Sequence, residues 1–316
     1  MSNEIVYITQ EGPFWDWQVA VDLFLGGAGV GALLFAILLN EVFDSKYRRI
    51  CSTAAWISPF LVGAGLLLIM FEMGRPMHLF ITYLNFNPTS PLWWGGIFQP
   101  LVIVGGFVYA NMWRNPDKNR GARRTLGRVL IPLTIIVGAY HGMLMAVMVS
   151  HPLWNTGPTV IAALLGFAAS GIATVMLVHL LRMKLGGRLQ DEEHVAAFLD
   201  DMRIVRNTLG VLLVLKLGTF YLWWLSLRLG SLQDQQALAI ANKSHGTMFW
   251  GLGVGLGLIL PILLGLYSMY RGEAQHRKLQ VNVIAWSSAM IVIGTLFFRL
   301  ALLLAGQEPQ PVNLIL

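Results

Sequence analysis

Cysteine is nearly absent from this sequence: Cys51 is the single one in 316 residues. A disulfide, a zinc cluster or an iron–sulfur cluster each needs several cysteines, so none can be assembled from this chain alone. Charge is scarce as well. Only 12% of the residues are Asp, Glu, Lys or Arg while 56% are hydrophobic, which is too apolar for an ordinary soluble domain. The net charge of +6 does not point to nucleic acid, because the basic residues fall in alternate loops rather than on one face. No segment is low in complexity. Met1 to Gly12 lacks a basic stretch, so the expectation is that no signal peptide is cleaved and the first apolar span is kept.

What the chain has in quantity is apolar sequence, with 33 glycines and 11 tryptophans, the small and interfacial residues of polytopic membrane helices. At roughly 20 residues per crossing, eight stretches predict transmembrane helices at about 17–40, 52–71, 93–113, 129–150, 157–181, 207–229, 247–270 and 283–305. Gly, Asn, Lys and Trp interrupt the third and the sixth. The basic residues then set an orientation. Lys46, Arg48 and Arg49 separate spans one and two, and Arg114, Lys118, Arg120, Arg123, Arg124 and Arg128 separate three and four. Arg182, Lys184, Arg188, Arg203 and Arg206 follow span five, and Arg271, Arg277 and Lys278 follow span seven. These are 17 of the 22 basic residues, all on one side. The positive-inside rule makes that side cytoplasmic and leaves both termini outside.

The fold class is therefore all-α integral membrane, with eight helices. Gly27-xxx-Gly31 in span one, and Gly251-xxx-Gly255 with Gly253-xxx-Gly257 in span seven, predict seams where helix backbones approach closely. Spans one and five share a Gly-x-x-x-small texture (Gly27 to Gly31, Gly166 to Ser170), a hint of two four-helix halves at 1–150 and 151–316. Gln190 to Arg206, the most charged segment, reads as a cytoplasmic amphipathic connector.

Polar side chains inside the spans carry the chemistry. Gly138 to Pro158 places Tyr140 and His141 near the middle of span four and leaves through a turn carrying His, Pro, Trp, Asn and Gly. At 1.5 Å per residue, Asp22 lies about 7 Å inside Trp17 and Arg299 about 9 Å before Ala305. Glu72 and Arg75 close span two at the same outer face. Lys216 is near the middle, and Asn40, Glu41 and His179 lie toward the cytoplasm. An ionised group at the centre of a helix costs about 2.5–3.5 kcal/mol even on lenient scales, so these should be paired, hydrated or in a cavity. They are either interhelical pairs that fix the packing, with Arg75 snorkelling to the surface, or the lining of a pocket opening to the outer leaflet. In the second case a lipophilic, hydrogen-bonding substrate such as a quinone suits them, with Tyr140 as donor and His141 as donor or proton relay. A b-type haem needs two histidines at matching depth on facing helices, and His141 and His179 do not match. No haem and no iron–sulfur cluster is expected in this chain, so electrons must come from another subunit.

Five short motifs, in order, resemble the NrfD/PsrC family, the membrane subunits of polysulfide-reductase-type complexes. They are Trp15-Asp16-Trp17 with Leu23-Phe24-Leu25-Gly26-Gly27; Gly74-Arg75-Pro76 with Asn87-Pro88-Thr89-Ser90-Pro91-Leu92-Trp93-Trp94-Gly95; Gly138-Ala139-Tyr140-His141-Gly142; Pro152-Leu153-Trp154-Asn155; and Phe298-Arg299 with Ala305-Gly306-Gln307. The resemblance implies two four-helix bundles without haem in a bacterial or archaeal cytoplasmic membrane. It also implies a site for menaquinone or ubiquinone near the outer face, a four-cluster ferredoxin-like iron–sulfur partner and a molybdopterin catalytic subunit. Carried over by motif, Tyr140 and Asp22 line the quinone pocket. Asp22 stands where relatives often have an uncharged residue and His141 where threonine is common, which favours proton handling here.

The first expectation is thus a quinone-reactive membrane anchor, with Tyr140, His141 and Asp22 at the reacting oxygens and Glu72, Arg75 and Arg299 around them. The docked iron–sulfur subunit would sit on the outer loops 75–96 and 150–158. The alternatives are a proton-translocating element running through Lys216, His179 and Glu41, and a secondary transporter with a midplane site.

Overall fold

The computed structural model describes residues 15–72, 81, 84–271 and 277–308, together with the backbone of residues 6–7 and 311–312. Asp16 opens the first helix, α1 (Trp17–Phe43), by accepting the Trp17 N–H on its carboxylate at 2.6 Å, a partner for one of the amides that a helix start leaves free. A 3-10 turn (Asp44–Tyr47) with Asp44 at a φ of 55° reverses the chain into α2 (Arg48–Glu72), which packs back along α1. Then come α3 (Pro91–Met112), α4 (Arg120–Ala146), α5 (Thr159–Leu185) and α6 (Glu192–Arg228). A Ser231–Asp234 capping box starts α7 (Leu232–Gly246), which runs on through a π-helical stretch (Thr247–Ile259) into α8 (Leu260–Arg271). The last helix is α9 (Arg277–Gly306). The only sheet among the described residues is a two-residue antiparallel pairing of Val6–Tyr7 with Pro311–Val312.

Seven helical segments among the described residues have the length and composition to cross a membrane. The first, Trp17–Glu72, contains both α1 and α2, and the sixth, Leu232–Arg271, contains α7, the π-helical stretch and α8. Two boundaries differ from the sequence expectation for a physical reason. α4 starts at Arg120 because Arg123, expected in a loop, is fully buried: its guanidinium bonds Pro116 O at 2.6 Å and Ser45 Oγ at 3.1 Å and lies 4.0 Å over the Trp113 ring. α4 ends at Ala146 because the Asn155 side chain folds back to donate to the Ala146 carbonyl. The charged stretch expected as a connector is the first part of the 37-residue α6, whose start Asp191 caps by accepting from Glu193 N–H at 2.9 Å.

Within the chain, α1 contacts α2, α4, α5 and α9, and α1 to α4 close a ring in which each helix touches the next. Close approach explains the α1–α5 contact. A Cβ at Gly27 would strike the Phe167 ring, and one at Gly31 the Phe167 carbonyl. From the other side, a Cβ at Gly171 would lie 2.7 Å from the Ala28 carbonyl oxygen. Small residues on both helices let the backbones touch. In the π-helical stretch Gly253 and Gly257 do the same against Phe298 and Gly294 of α9, whereas Gly251 and Gly255 meet only their own segment. The sequence expectation of two seams there is corrected to one.

Candidate functional site

At the end of the ring opposite the arginine-rich turns, three glycines on three helices make room for three polar side chains. Gly65 of α2 faces the Asp22 carboxylate of α1, with Oδ1 2.6 Å from where a Cβ would stand. Gly95, one turn into α3, faces the Tyr140 ring of α4, with the hydroxyl at 2.8 Å from the same point. Gly26 of α1 faces His141, with Nε2 at 3.1 Å. Any larger residue at Gly65 or Gly95 would occupy the space the polar group holds.

The polar groups are buried and only partly satisfied. His141 is fully buried; its Nδ1 lies 2.7 Å from Val137 O, one turn back, and its Nε2 lies 3.3 Å from Gln99 Nε2. A carbonyl only accepts, so Nδ1 carries the proton and Nε2 receives the Gln99 amide. This is the pairing of a neutral imidazole, and protonating Nε2 would require Gln99 to turn its oxygen inward. The Tyr140 and His141 rings lie 4.3 Å apart. Asp22 Oδ1 is buried without a hydrogen-bond partner, and Asp22 is within electrostatic reach of both Tyr140 and Glu72. Glu72, the last residue of α2, accepts from Asp16 N–H at 3.4 Å on one oxygen while the other is buried and unpartnered. The cluster thus offers a phenol, a neutral imidazole and two carboxylate oxygens with spare hydrogen-bonding capacity.

Phe167 of α5 joins this cluster to a second one. Its ring meets His141 edge-on at 5.5 Å and carries the Arg299 guanidinium at 4.4 Å. Arg299 donates to Ala163 O at 3.4 Å, and Lys216 Nζ lies 3.5 Å from Thr295 Oγ1. Both cations face Gly166, 3.5 Å and 3.9 Å from its Cβ position, and neither has a carboxylate partner among the described residues. The other expected residues lie apart. Glu41 pairs with Arg128 at 3.1 Å, and His179 stacks on Phe198 at 5.7 Å near the arginine-rich end. No hydrogen bond or ion pair links Lys216, His179 and Glu41 to one another among the described residues. Arg75 lies outside the described residues. No three of His, Cys, Asp and Glu gather as metal ligands among the residues described.

Three motif fragments meet just beyond the cluster. Trp154 stacks on Trp15 (centroids 5.6 Å apart) and on His151 (4.4 Å), and its indole donates to Leu302 O at 2.7 Å. Gly306 leaves room for that indole, and Gln307 clasps the Trp15 backbone at N and O, at 2.7 Å and 2.8 Å. The start of α1, the turn after α4 and the end of α9 are thereby locked together.

The family described as Polysulphide reductase, NrfD matches residues 6–309. The chain belongs to this family. It is 28% identical to a polysulfide reductase chain of Wolinella succinogenes, over 93% of this protein and 94% of that one. Protein NrfD of Escherichia coli is 26% identical over 94% of this chain and 96% of its own length. A selenate reductase subunit of Mesobacillus selenatarsenatis is 20% identical over 79% of this chain and 66% of its own. Gly26, Gly95, Tyr140 and His141 all come from the quoted motifs and meet in one place. Gln99, the partner of His141, is a residue that sequence reasoning missed. A lone glutamine between Phe98 and Pro100 is the signal, and only the proximity of α3 to α4 gives it meaning.

Proposed function

We propose that this NrfD-family chain is the quinone-reactive membrane subunit of a respiratory oxidoreductase complex. It exchanges electrons between a membrane menaquinone or ubiquinone and an extracytoplasmic iron–sulfur subunit of the four-cluster ferredoxin type, beside a molybdopterin catalytic subunit. In this reading the first of the seven membrane segments crosses twice, giving eight spans in two four-helix halves. Both termini lie outside a bacterial or archaeal cytoplasmic membrane. The observation that carries the reading is the buried, partly unsatisfied set of Tyr140, His141 and Asp22, each seated against a glycine of a neighbouring helix.

The residues divide the work by chemistry. Oxidising a quinol removes two electrons and two protons, so its two oxygens need one proton acceptor each. One oxygen bonds Tyr140 and gives its proton toward His141 Nε2, the ring nitrogen that carries none, as Gln99 turns its amide oxygen inward to accept the new N–H. The other faces Asp22, whose free Oδ1 accepts, with Glu72 leading outward. Arg299, held over Phe167, adds positive potential on the His141 side, which opposes a lasting imidazolium and favours passing the proton on. The electrons leave to the partner subunit's clusters, and this chain positions the ring and moves the protons. Exposed Phe71, Leu92 and Val147 beside Glu72, Gly95 and the end of α4 offer an apolar approach from the lipid.

The test is quinone-coupled turnover of the assembled complex carrying Tyr140→Phe or Asp22→Asn. A fall of tenfold or more in each, with the partner subunits still bound, is expected. Full rate in both variants removes this pocket. A second reading, proton translocation, is favoured by one observation, the pair of buried cations Lys216 and Arg299 without a counter-ion among the described residues. Proteoliposomes of the complex that acidify by no more than the quinone reaction requires would remove it.

A further inference from the structure

The arginine-rich end contains a cavity that the quinone reading leaves unused. It measures about 390 Å3 and opens where the first turn of α2, the last turns of α5 and the first turns of α6 converge. Arg48, Arg49, Arg182 and Arg188 line it, with His179 and His194, while Asp201 is the single carboxylate in the lining. Orientation by the positive-inside rule requires only that arginines stay in these loops. It does not require four of them to face one hollow.

The neighbouring arginines show the contrast. Arg120 and Arg124 pair with Asp44, and Arg128 pairs with Glu41. None of the four pocket arginines forms an ion pair among the described residues. Arg182 is held at the rim by donating to Thr53 Oγ1 at 2.9 Å, and His179 Nδ1 is buried there with no hydrogen-bond partner. Ser52 and Thr53 in the lining belong to the first two turns of α2, a 25-residue helix whose dipole adds to the positive potential. Beside Arg182, Leu181 and Leu185 stand 50% and 79% exposed on α5. They are suited to acyl chains rather than to water.

We propose that this pocket binds a phosphate-class anion, supplied by the headgroup of an anionic phospholipid of the leaflet at that end. Guanidinium groups match phosphate oxygens in pairs, and basic hollows between membrane helices are suited to such headgroups. Phosphate itself is the other source of the same chemistry.

The experiment uses the full-length protein purified in a mild detergent. Retained lipid is counted by native mass spectrometry after titration with phosphatidylglycerol or phosphatidylcholine, with and without inorganic phosphate. Selective retention of phosphatidylglycerol is expected, weakened about fivefold by Arg49→Gln and again by Arg188→Gln, given about 1 kcal/mol per basic residue at a charged surface. Arg49→Lys should restore part of the loss, and Lys278→Gln, outside the pocket, should change nothing. Thermal unfolding of each variant separates lost binding from lost fold. Equal retention of both lipids, or the same loss in Lys278→Gln as in Arg49→Gln, overturns the proposal. Phosphate that binds with the same arginine dependence while no lipid is retained assigns the site to the free anion and overturns the lipid source.

Discussion

At the scale of single residues, the glycine seats allow the polar cluster to be disturbed without removing any of its polar groups. An alanine at Gly95 would overlap the Tyr140 ring, which can move only by leaving its place beside His141. Gly95→Ala should therefore lower quinone-coupled turnover at least tenfold in the assembled complex. The same change at Gly63, where a Cβ meets nothing within 4 Å, should leave turnover unchanged. The His141–Gln99 pair gives a second prediction. Gln99→Leu strips a buried acceptor of its donor, which costs about 1–3 kcal/mol, and a thermal melt in detergent should register it. Adding His141→Leu removes the orphaned group, so the melting temperature should recover while turnover does not. Recovery of both would make the imidazole a packing residue only. Asp22, Tyr140 and His141 are legible in the sequence because ionisable groups inside apolar runs are costly enough to need a reason. Gln99 is not, since an uncharged amide breaks no rule until its neighbour is known.

At the scale of helices, positions are legible in the sequence and ends are not. Apolar length alone marks where α1, α5 and α9 run. The ends of α4 depend on Arg123 reaching Ser45 and Pro116 and on Asn155 reaching Ala146, contacts between segments that hydropathy does not see. The glycine seams split the same way: Gly27 and Gly31 meet α5, while Gly251 and Gly255 share the spacing yet meet no other helix. Spacing marks a candidate seam, and only the partner's position makes it one. This difference is measurable. At Gly31 a Cβ meets the backbone carbonyl of Phe167, which cannot turn aside as a side chain can, so Gly31→Leu should prevent folding, read as loss of the monodisperse species on size-exclusion chromatography. Gly251→Leu should keep the protein folded, with a melting temperature within a few degrees of the parent. Equal damage from both would mean the α1–α5 contact is not the tighter of the two.

At the scale of the whole molecule, the arrangement of charge supports the direction of the proposed chemistry. The polar cluster of Asp22, Tyr140 and His141 and the clasp of Trp15, Trp154 and Gln307 share one end of the bundle, and the arginine turns occupy the other. If the arginine end is cytoplasmic, electrons and protons are exchanged at the outer face. That orientation is an electrostatic inference from loop composition, and the chain carries a convenient means of testing it. Its single cysteine, Cys51, is fully buried and out of reach of a bulky reagent, so no background needs removing. Four exposed positions then sample both sides: Lys46 and Asp117 at the arginine end, Phe86 and Gln233 at the other. With a membrane-impermeant maleimide on intact spheroplasts, Phe86→Cys and Gln233→Cys should label at once, and Lys46→Cys and Asp117→Cys only after permeabilisation. Lys46 also tests the double crossing of Trp17–Glu72, because a single crossing would leave it inside the bilayer and unlabelled from either side. The reverse pattern would place the polar cluster at the cytoplasmic face, where an extracytoplasmic iron–sulfur partner could not receive its electrons.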